Sequence, residues 1–227
     1  MKRTIIIMAK APLAGTVKTR LEPHLSAEKC AQLAECFLLD TISKAESLKN
    51  KLIIAYSPAG ETDYFRRLGG ENTSFVEQKG ANLGEKMLSA FEFAFRQNSD
   101  AAIVMIGTDS PTFPAHFIER AFEFLEAGAD AVLGKTEDGG FYLIGLRKPD
   151  ARIFERVEWS SPKTFAQVRE NALNLSWRLR EVPGWYDVDE AKDLKQLENE
   201  FLNSEDARRR APETFVWITR NTSETVE

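Results

Sequence analysis

A lysine and an arginine two residues apart, Lys18 and Arg20, follow Gly15 in the segment Lys10-Ala11-Pro12-Leu13-Ala14-Gly15-Thr16-Val17-Lys18-Thr19-Arg20-Leu21. Gly15 lets the backbone approach a ligand closely, and its amide neighbours can point at phosphate oxygens. Lys18 offers a point charge and Arg20 a bidentate fork, a combination that suits a diphosphate. A solvated surface loop is the other reading of the same residues. Asp109, in Thr108-Asp109-Ser110-Pro111, follows the most apolar run of the chain. A carboxylate there is a hard oxygen ligand for Mg2+ or Mn2+, or the cap of a turn before Pro111. A cation so held neutralises charge on a departing phosphate, which glycosyl and phosphoryl transfer both require.

Three further segments carry polar chemistry beside glycines or aromatics. In Glu137-Asp138-Gly139-Gly140-Phe141-Tyr142, paired glycines allow close backbone approach to a substrate and Asp138 can orient a hydroxyl. A hairpin turn explains the glycines equally well. In Trp185-Tyr186-Asp187-Val188-Asp189, Asp187 with Glu190 three residues on has the spacing of a capping box. Gln78-Lys79-Gly80-Ala81-Asn82-Leu83-Gly84 is a polar glycine loop opening a helix, whose N-terminus favours anions.

Motifs that are missing narrow the chemistry. No G-x-G-x-x-G follows the first strand, and Gly15 to Lys18 has the wrong spacing for a P-loop. Two histidines, His24 and His116, and no nucleophile elbow argue against a serine hydrolase or a histidine-rich zinc site.

These residues must be positioned by the elements between them. Thr4–Ala9, Leu52–Tyr56, Ser74–Glu77, Ala101–Ile106, Ala131–Leu133 and Phe141–Leu146 read as strands, with an edge strand at Trp177–Val182. Helical spacing marks a long stretch from Ser26, then Asp63–Leu68, Leu83–Gln97 and the stripe Phe117, Ile118, Ala121, Phe122, Leu125. Ser161-Pro162 has the form of a helix start, and Asp187 opens a further helix through Phe201. Strands alternating with helices predict an α/β, Rossmann-like, mostly parallel sheet with helices on both faces. The expected boundaries are one domain over 1–202 and a polar, frayed tail over 203–227, including Arg208-Arg209-Arg210.

Composition agrees with a globular domain: 43% apolar and 29% charged residues. Thirty Lys and Arg against 35 Asp and Glu give a net charge of -5, which argues against a protein that coats nucleic acid. The apolar run near the N-terminus is too short for a signal-peptide core or a membrane span, so a cytoplasmic location is expected. Cys30 and Cys36 fall on one helix, roughly 9 Å apart along its axis, too far to bridge.

Taken in order, Met8-Ala9-Lys10-Ala11-Pro12 through Lys18-Thr19-Arg20-Leu21, Gln78-x-Gly80-x-x-Leu83-Gly84, Gly107-Thr108-Asp109-Ser110-Pro111, Asp138-Gly139-Gly140-Phe141-Tyr142 and Asp187-Val188-Asp189 resemble a known family. It is the small glycosyltransferase-A-fold family of the arsenosugar-biosynthesis type, formerly a domain of unknown function, distantly similar to 2-phospholactate guanylyltransferase. The resemblance implies a nucleotide-diphospho-sugar transferase fold. It implies that Ala9, Lys10, Pro12, Gly15, Lys18 and Arg20, with Gln78, Gly80 and Gly84, hold base and diphosphate. It implies that Asp109 and Asp187 ligate Mg2+ or Mn2+, although the strand-end motif here has one acid rather than a D-x-D pair. Asp138 is expected to act as base or to orient an acceptor beside Gly139 and Gly140. The expected partners are a nucleotide sugar or nucleoside triphosphate as donor and a small molecule as acceptor. The expected reaction is glycosyl transfer, with nucleotidyl transfer or a non-catalytic nucleotide-binding module as alternatives.

Overall fold

A computed structural model describes residues 1–222. Its strands are β1 (Lys2–Lys10), β2 (Lys51–Ser57), β3 (Thr73–Glu77), β4 (Ala101–Ile106), β5 (Ala131–Thr136), β6 (Phe141–Leu146) and β7 (Leu179–Trp185). Its helices are α1 (Ala27–Ser47), α2 (Thr62–Leu68), α3 (Leu83–Gln97), α4 (His116–Glu126), α5 (Thr164–Asn174), α6 (Ala191–Asn203), α7 (Glu205–Arg210) and α8 (Pro212–Thr222). One seven-stranded sheet runs β3-β2-β1-β4-β6-β5-β7 and is parallel except for β6.

The unbroken apolar runs of β1 and β4 follow from burial on both faces. Side chains alternate across a strand. Ile5 and Ile7 therefore pack with Ile42, Phe65 and Phe122, from α1, α2 and α4. Ile6 packs on the other face with Phe91 and Phe165, from α3 and α5. Register sets Ile7 of β1 beside Ile106 of β4, so the loops after these strands emerge together. After β1 the chain turns to β2 on one side; after β4 it turns to β5 and β6 on the other. The β1/β4 boundary is thus the switch point where such sheets bind ligands, outside the carboxyl ends of the strands. Antiparallel β6 begins at that same end, which brings the β5–β6 hairpin to it as well.

Several boundaries differ from the sequence reading. The last strand starts two residues later than expected and takes in Pro183, tolerated because β7 pairs with β5 on one side only. Ser161 and Pro162 lie in a turn and α5 starts at Thr164. The helix expected from Asp187 starts at Ala191: the capping box is formed by Glu190 and Asp193, not by Asp187 and Glu190. Two acids at capping spacing fit the same stretch in two registers, and Asp187 is left free of the helix.

The largest correction concerns residues 203–222, expected as a frayed tail. Asn203 ends α6 and the rest form α7, α8 and the residues joining them, burying Ala207, Ala211, Trp217 and Ile218 with Cys30, Leu33 and Phe37 of α1 and Leu197 and Phe201 of α6. The cap of α8 comes from across the molecule, with Asp40 of α1 accepting from the amides of Glu213 and Thr214 and from the Thr214 hydroxyl. Residues 223–227 of that expectation lie outside the described residues.

One turn along α1 from Asp40, Lys44 is buried, with its ammonium 2.7 Å from the Pro111 carbonyl and 3.8 Å from the Phe113 ring centre. Burial pushes Lys44 down to about 7 against the pull of Asp40. Between about pH 7 and pH 10 the unfolded chain therefore holds a proton that the folded chain has released, and stability rises with pH across that window. Below it both states are protonated and the gain is absent. Lys44→Met removes this dependence. Its melting temperature should exceed that of the parent most near pH 6, by a margin that shrinks towards pH 9. A margin that does not change with pH would show that Lys44 stays charged throughout.

Candidate functional site

The loop after β1 is shaped by its own hydrogen bonds. The Thr16 amide donates to the Leu13 carbonyl at 3.0 Å, and Gly15, third in that turn, has φ 75°. A residue with a Cβ is strained there. The Lys10 ammonium donates to the Thr16 carbonyl at 2.5 Å and braces the loop from the strand end. Lys18 then adopts φ 50° and ψ 33°, left-handed backbone that a lysine rarely takes. This bend turns its side chain inward, to 5% exposure, between two acids.

Lys18 pairs with Asp109, from the loop after β4, and with Asp189 at 3.0 Å. Burial alone would lower the ammonium, but the charges of Asp109 and Asp189 outweigh it and hold Lys18 charged, above the ordinary lysine value. Arg20 stands 3.9 Å from Asp189 with its side chain 61% exposed, and so remains able to fork onto an anion. Asp187 accepts from the Ser110 hydroxyl, and the Val188 amide donates to the Asp109 carbonyl at 2.9 Å. These two ties bring the strand-end acid and the late acid together. Burial, then the Asp109 charge, push the Asp187 carboxyl up to about 7.

An open cleft of about 910 Å³ lies over this edge of the sheet. Of the residues singled out in the sequence, Ala9, Lys10, Lys18, Arg20, Gln78, Asp109, Asp138, Gly140 and Asp187 line it. Gln78 reaches it by donating both amide hydrogens, to the carbonyls of Ala9 (3.0 Å) and Ala55 (2.8 Å), which locks β1 to β2 and leaves its oxygen over. Asp138 closes the β5–β6 turn. Its Oδ1 accepts from the Thr136 hydroxyl (2.5 Å) and the Gly140 amide (2.9 Å), so its second oxygen is left for the cleft.

Pro12, Gly15, Gly80, Gly84 and Gly139 are not on the cleft surface, and Gly80, Gly84 and Gly139 have packing reasons. A Cβ on Gly80 would come within 2.4 Å of Glu85, and one on Gly84 within 2.5 Å of Trp159. Gly139, at φ 93°, would drive a Cβ to 2.1 Å from the Pro162 carbonyl oxygen. The last two glycines let the 159–162 segment close against α3 and the hairpin, and Ser160, Ser161 and Pro162 of that segment form a cleft wall. The N-terminus of α3 is already occupied: Asn82 accepts from the Glu85 amide and Glu85 from the Ala81 amide.

The sequence reading gave no site role to Asp189, Lys192, Ser160 and Ser161, all on the cleft. Asp189 alone had a signal, since acids two apart in an extended segment point the same way. Among the described residues, no group of three or more His, Cys, Asp or Glu is placed to hold a metal ion. Asp109 and Asp187, tied together through Ser110 and Val188, are carboxylates of the oxygen-donor type that Mg2+ or Mn2+ takes. Such ions are commonly held by one or two carboxylates with substrate phosphates completing the shell.

The sheet order, with its cleft at the strand ends, is an α/β, Rossmann-like fold shared with a solved protein described as a putative nucleotide-diphospho-sugar transferase. The family model described as "Uncharacterized protein conserved in bacteria (DUF2064)" matches residues 39–161, more than half of the chain, and the chain belongs to that family. A solved Desulfovibrio desulfuricans protein described as "putative nucleotide-diphospho-sugar transferase" is 30% identical, with a TM-score of 0.88 over 98% of this chain and 96% of that one. A Leptospira borgpetersenii cytidylyltransferase is 12% identical, with a TM-score of 0.58 over 98% and 96% of the two chains. Mycobacterium tuberculosis Rv0371C, solved in complex with manganese, is 18% identical, with a TM-score of 0.50 over 86% and 97%. The last two share the fold. No curated protein matches. No described helix is long and apolar enough to cross a membrane.

Proposed function

We propose that this chain is a divalent-metal-dependent transferase that takes a nucleotide sugar as donor and passes the glycosyl group to a small acceptor. The observation that carries the reading is the meeting of Asp109, Asp187 and the charged, buried Lys18 in one cleft at the switch point of the sheet. The 30% identical relative supports it through its description, and the manganese complex supports the choice of cation through the shared fold.

Mg2+ or Mn2+ bound by Asp109 and Asp187 would supply positive charge to the diphosphate leaving group. Lys18 binds the same diphosphate once it turns from its two acids, and Arg20 adds a bidentate contact from the cleft mouth. Asp138, fixed through one oxygen, presents the other to an acceptor hydroxyl and can take its proton as the bond forms. Ser160 and Ser161 line the same cleft, on the segment that packs against the Asp138–Gly140 turn.

The test is the product. Incubation with Mn2+, nucleotide sugars and candidate acceptors should release nucleoside diphosphate. Pyrophosphate released from a nucleoside triphosphate would replace this reading with nucleotidyl transfer. Saturable nucleotide binding with no turnover across the donor and acceptor panel would reduce the protein to a binding module.

A further inference from the structure

Glu200, on α6 and outside the cleft lining, gathers two segments that carry the acids of the site. Its Oε2 accepts from the Thr112 hydroxyl at 2.6 Å and from the Tyr186 hydroxyl at 2.6 Å. Its Oε1 accepts from Arg210 of α7 at 3.2 Å. Thr112 is fully buried and lies three residues after Asp109; Tyr186, also buried, directly precedes Asp187. Trp185 closes the cluster, donating from Nε1 to the Thr112 hydroxyl at 3.2 Å and lying under the Arg210 guanidinium.

We infer that Glu200 is a positioning residue for the cation. One carboxylate oxygen clasps the strand-end loop to the Trp185–Asp189 segment, and so fixes the separation of Asp109 from Asp187. Small divalent ions demand near-ideal geometry, and outer hydrogen-bond partners of metal ligands typically carry about 10–100-fold in metal affinity. Arg210 holds Oε1 and so leaves Oε2 to accept from both hydroxyls. This inference rests on the proposal that Asp109 and Asp187 share a cation.

The experiment measures Mn2+ binding directly, by calorimetry and by the electron paramagnetic resonance signal of free Mn2+, with a nucleoside diphosphate present and well below the melting temperature. Glu200→Ala should weaken Mn2+ about tenfold or more. Glu200→Gln keeps an oxygen that accepts both hydroxyls, so it should restore affinity to within about threefold. Tyr186→Phe removes a single donor and should fall between them; it also carries the test if Glu200→Ala does not fold. A lowered melting temperature with unchanged Mn2+ affinity in Glu200→Ala and Tyr186→Phe overturns the inference. Asp109→Asn, run in parallel, separates the two levels. If it abolishes Mn2+ binding while the Glu200 and Tyr186 variants do not alter it, only the role of Glu200 falls. If it too leaves Mn2+ binding unchanged, the shared cation falls and the positioning role with it.

Discussion

Asp109→Asn should remove the enhancement of nucleotide binding by Mn2+ and reduce turnover about 10²–10³-fold, while leaving the apo protein nearly as stable as the parent. The substitution keeps the shape and most of the hydrogen bonding of the side chain and deletes only its charge. Two electrostatic changes then oppose each other without ligand. Lys18 loses one of its two partners but keeps Asp189 at 3.0 Å. Asp187 is relieved of the Asp109 charge that helps push it up to about 7. A turn-capping role for Asp109 predicts the reverse pattern, with an unaltered response to metal and a less stable apo protein. Nucleoside diphosphate titrated into both proteins, with Mn2+ and with chelator, gives four affinities and hence a coupling energy. A coupling indistinguishable from zero would falsify the metal assignment.

Gly139→Val should lower stability by about 2–6 kcal/mol, the sum of left-handed strain and displacement of packed backbone. For a chain of this size that is a fall of roughly 10 °C in melting temperature. The magnitude follows from what a Cβ would meet, a carbonyl oxygen at 2.1 Å that belongs to backbone and is not the tip of a movable side chain. The Phe165 amide also donates to the Gly139 carbonyl at 2.9 Å, so the hairpin cannot retreat without breaking the start of α5. If Gly139 is a glycine because a substrate approaches it, the variant should instead keep its melting temperature and lose affinity for the acceptor alone. Differential scanning calorimetry of the apo protein decides between the two.

How far the sequence discloses this molecule depends on which physical signal each part emits. Ala101–Ile106 and Leu83–Gln97 are recovered to the residue because burial on two faces, or on one helical stripe, writes itself into composition and period. The end of the chain hides its helices. Arg208, Arg209 and Arg210 make α7 look solvated, and the cap of α8 is Asp40, more than 170 residues away. No local window contains that contact. In the site, residue type singled out Lys18 and Asp109 and the family resemblance added Asp187, and all three line the cleft; the Lys18–Asp189 pair, however, is made by a left-handed backbone that nothing in a lysine's identity announces. Glycines are the least legible of all. Gly80, Gly84 and Gly139 look like room for a ligand, yet each leaves room for the protein's own chain.

The order in which the chain is made gives the C-terminal helices another meaning. Leu33 and Phe37 of α1 are synthesised early, but Trp217 and Ile218, which help cover them, come about 180 residues after Phe37. At roughly 5–20 residues per second the outer face of α1 waits about ten to forty seconds for its cover. For that interval the ribosome carries a chain with an apolar helix face open to any partner. A similar delay holds back Tyr186, Asp187 and Glu200, so the cleft lacks its late acid and the clasp behind it until α6 leaves the ribosome.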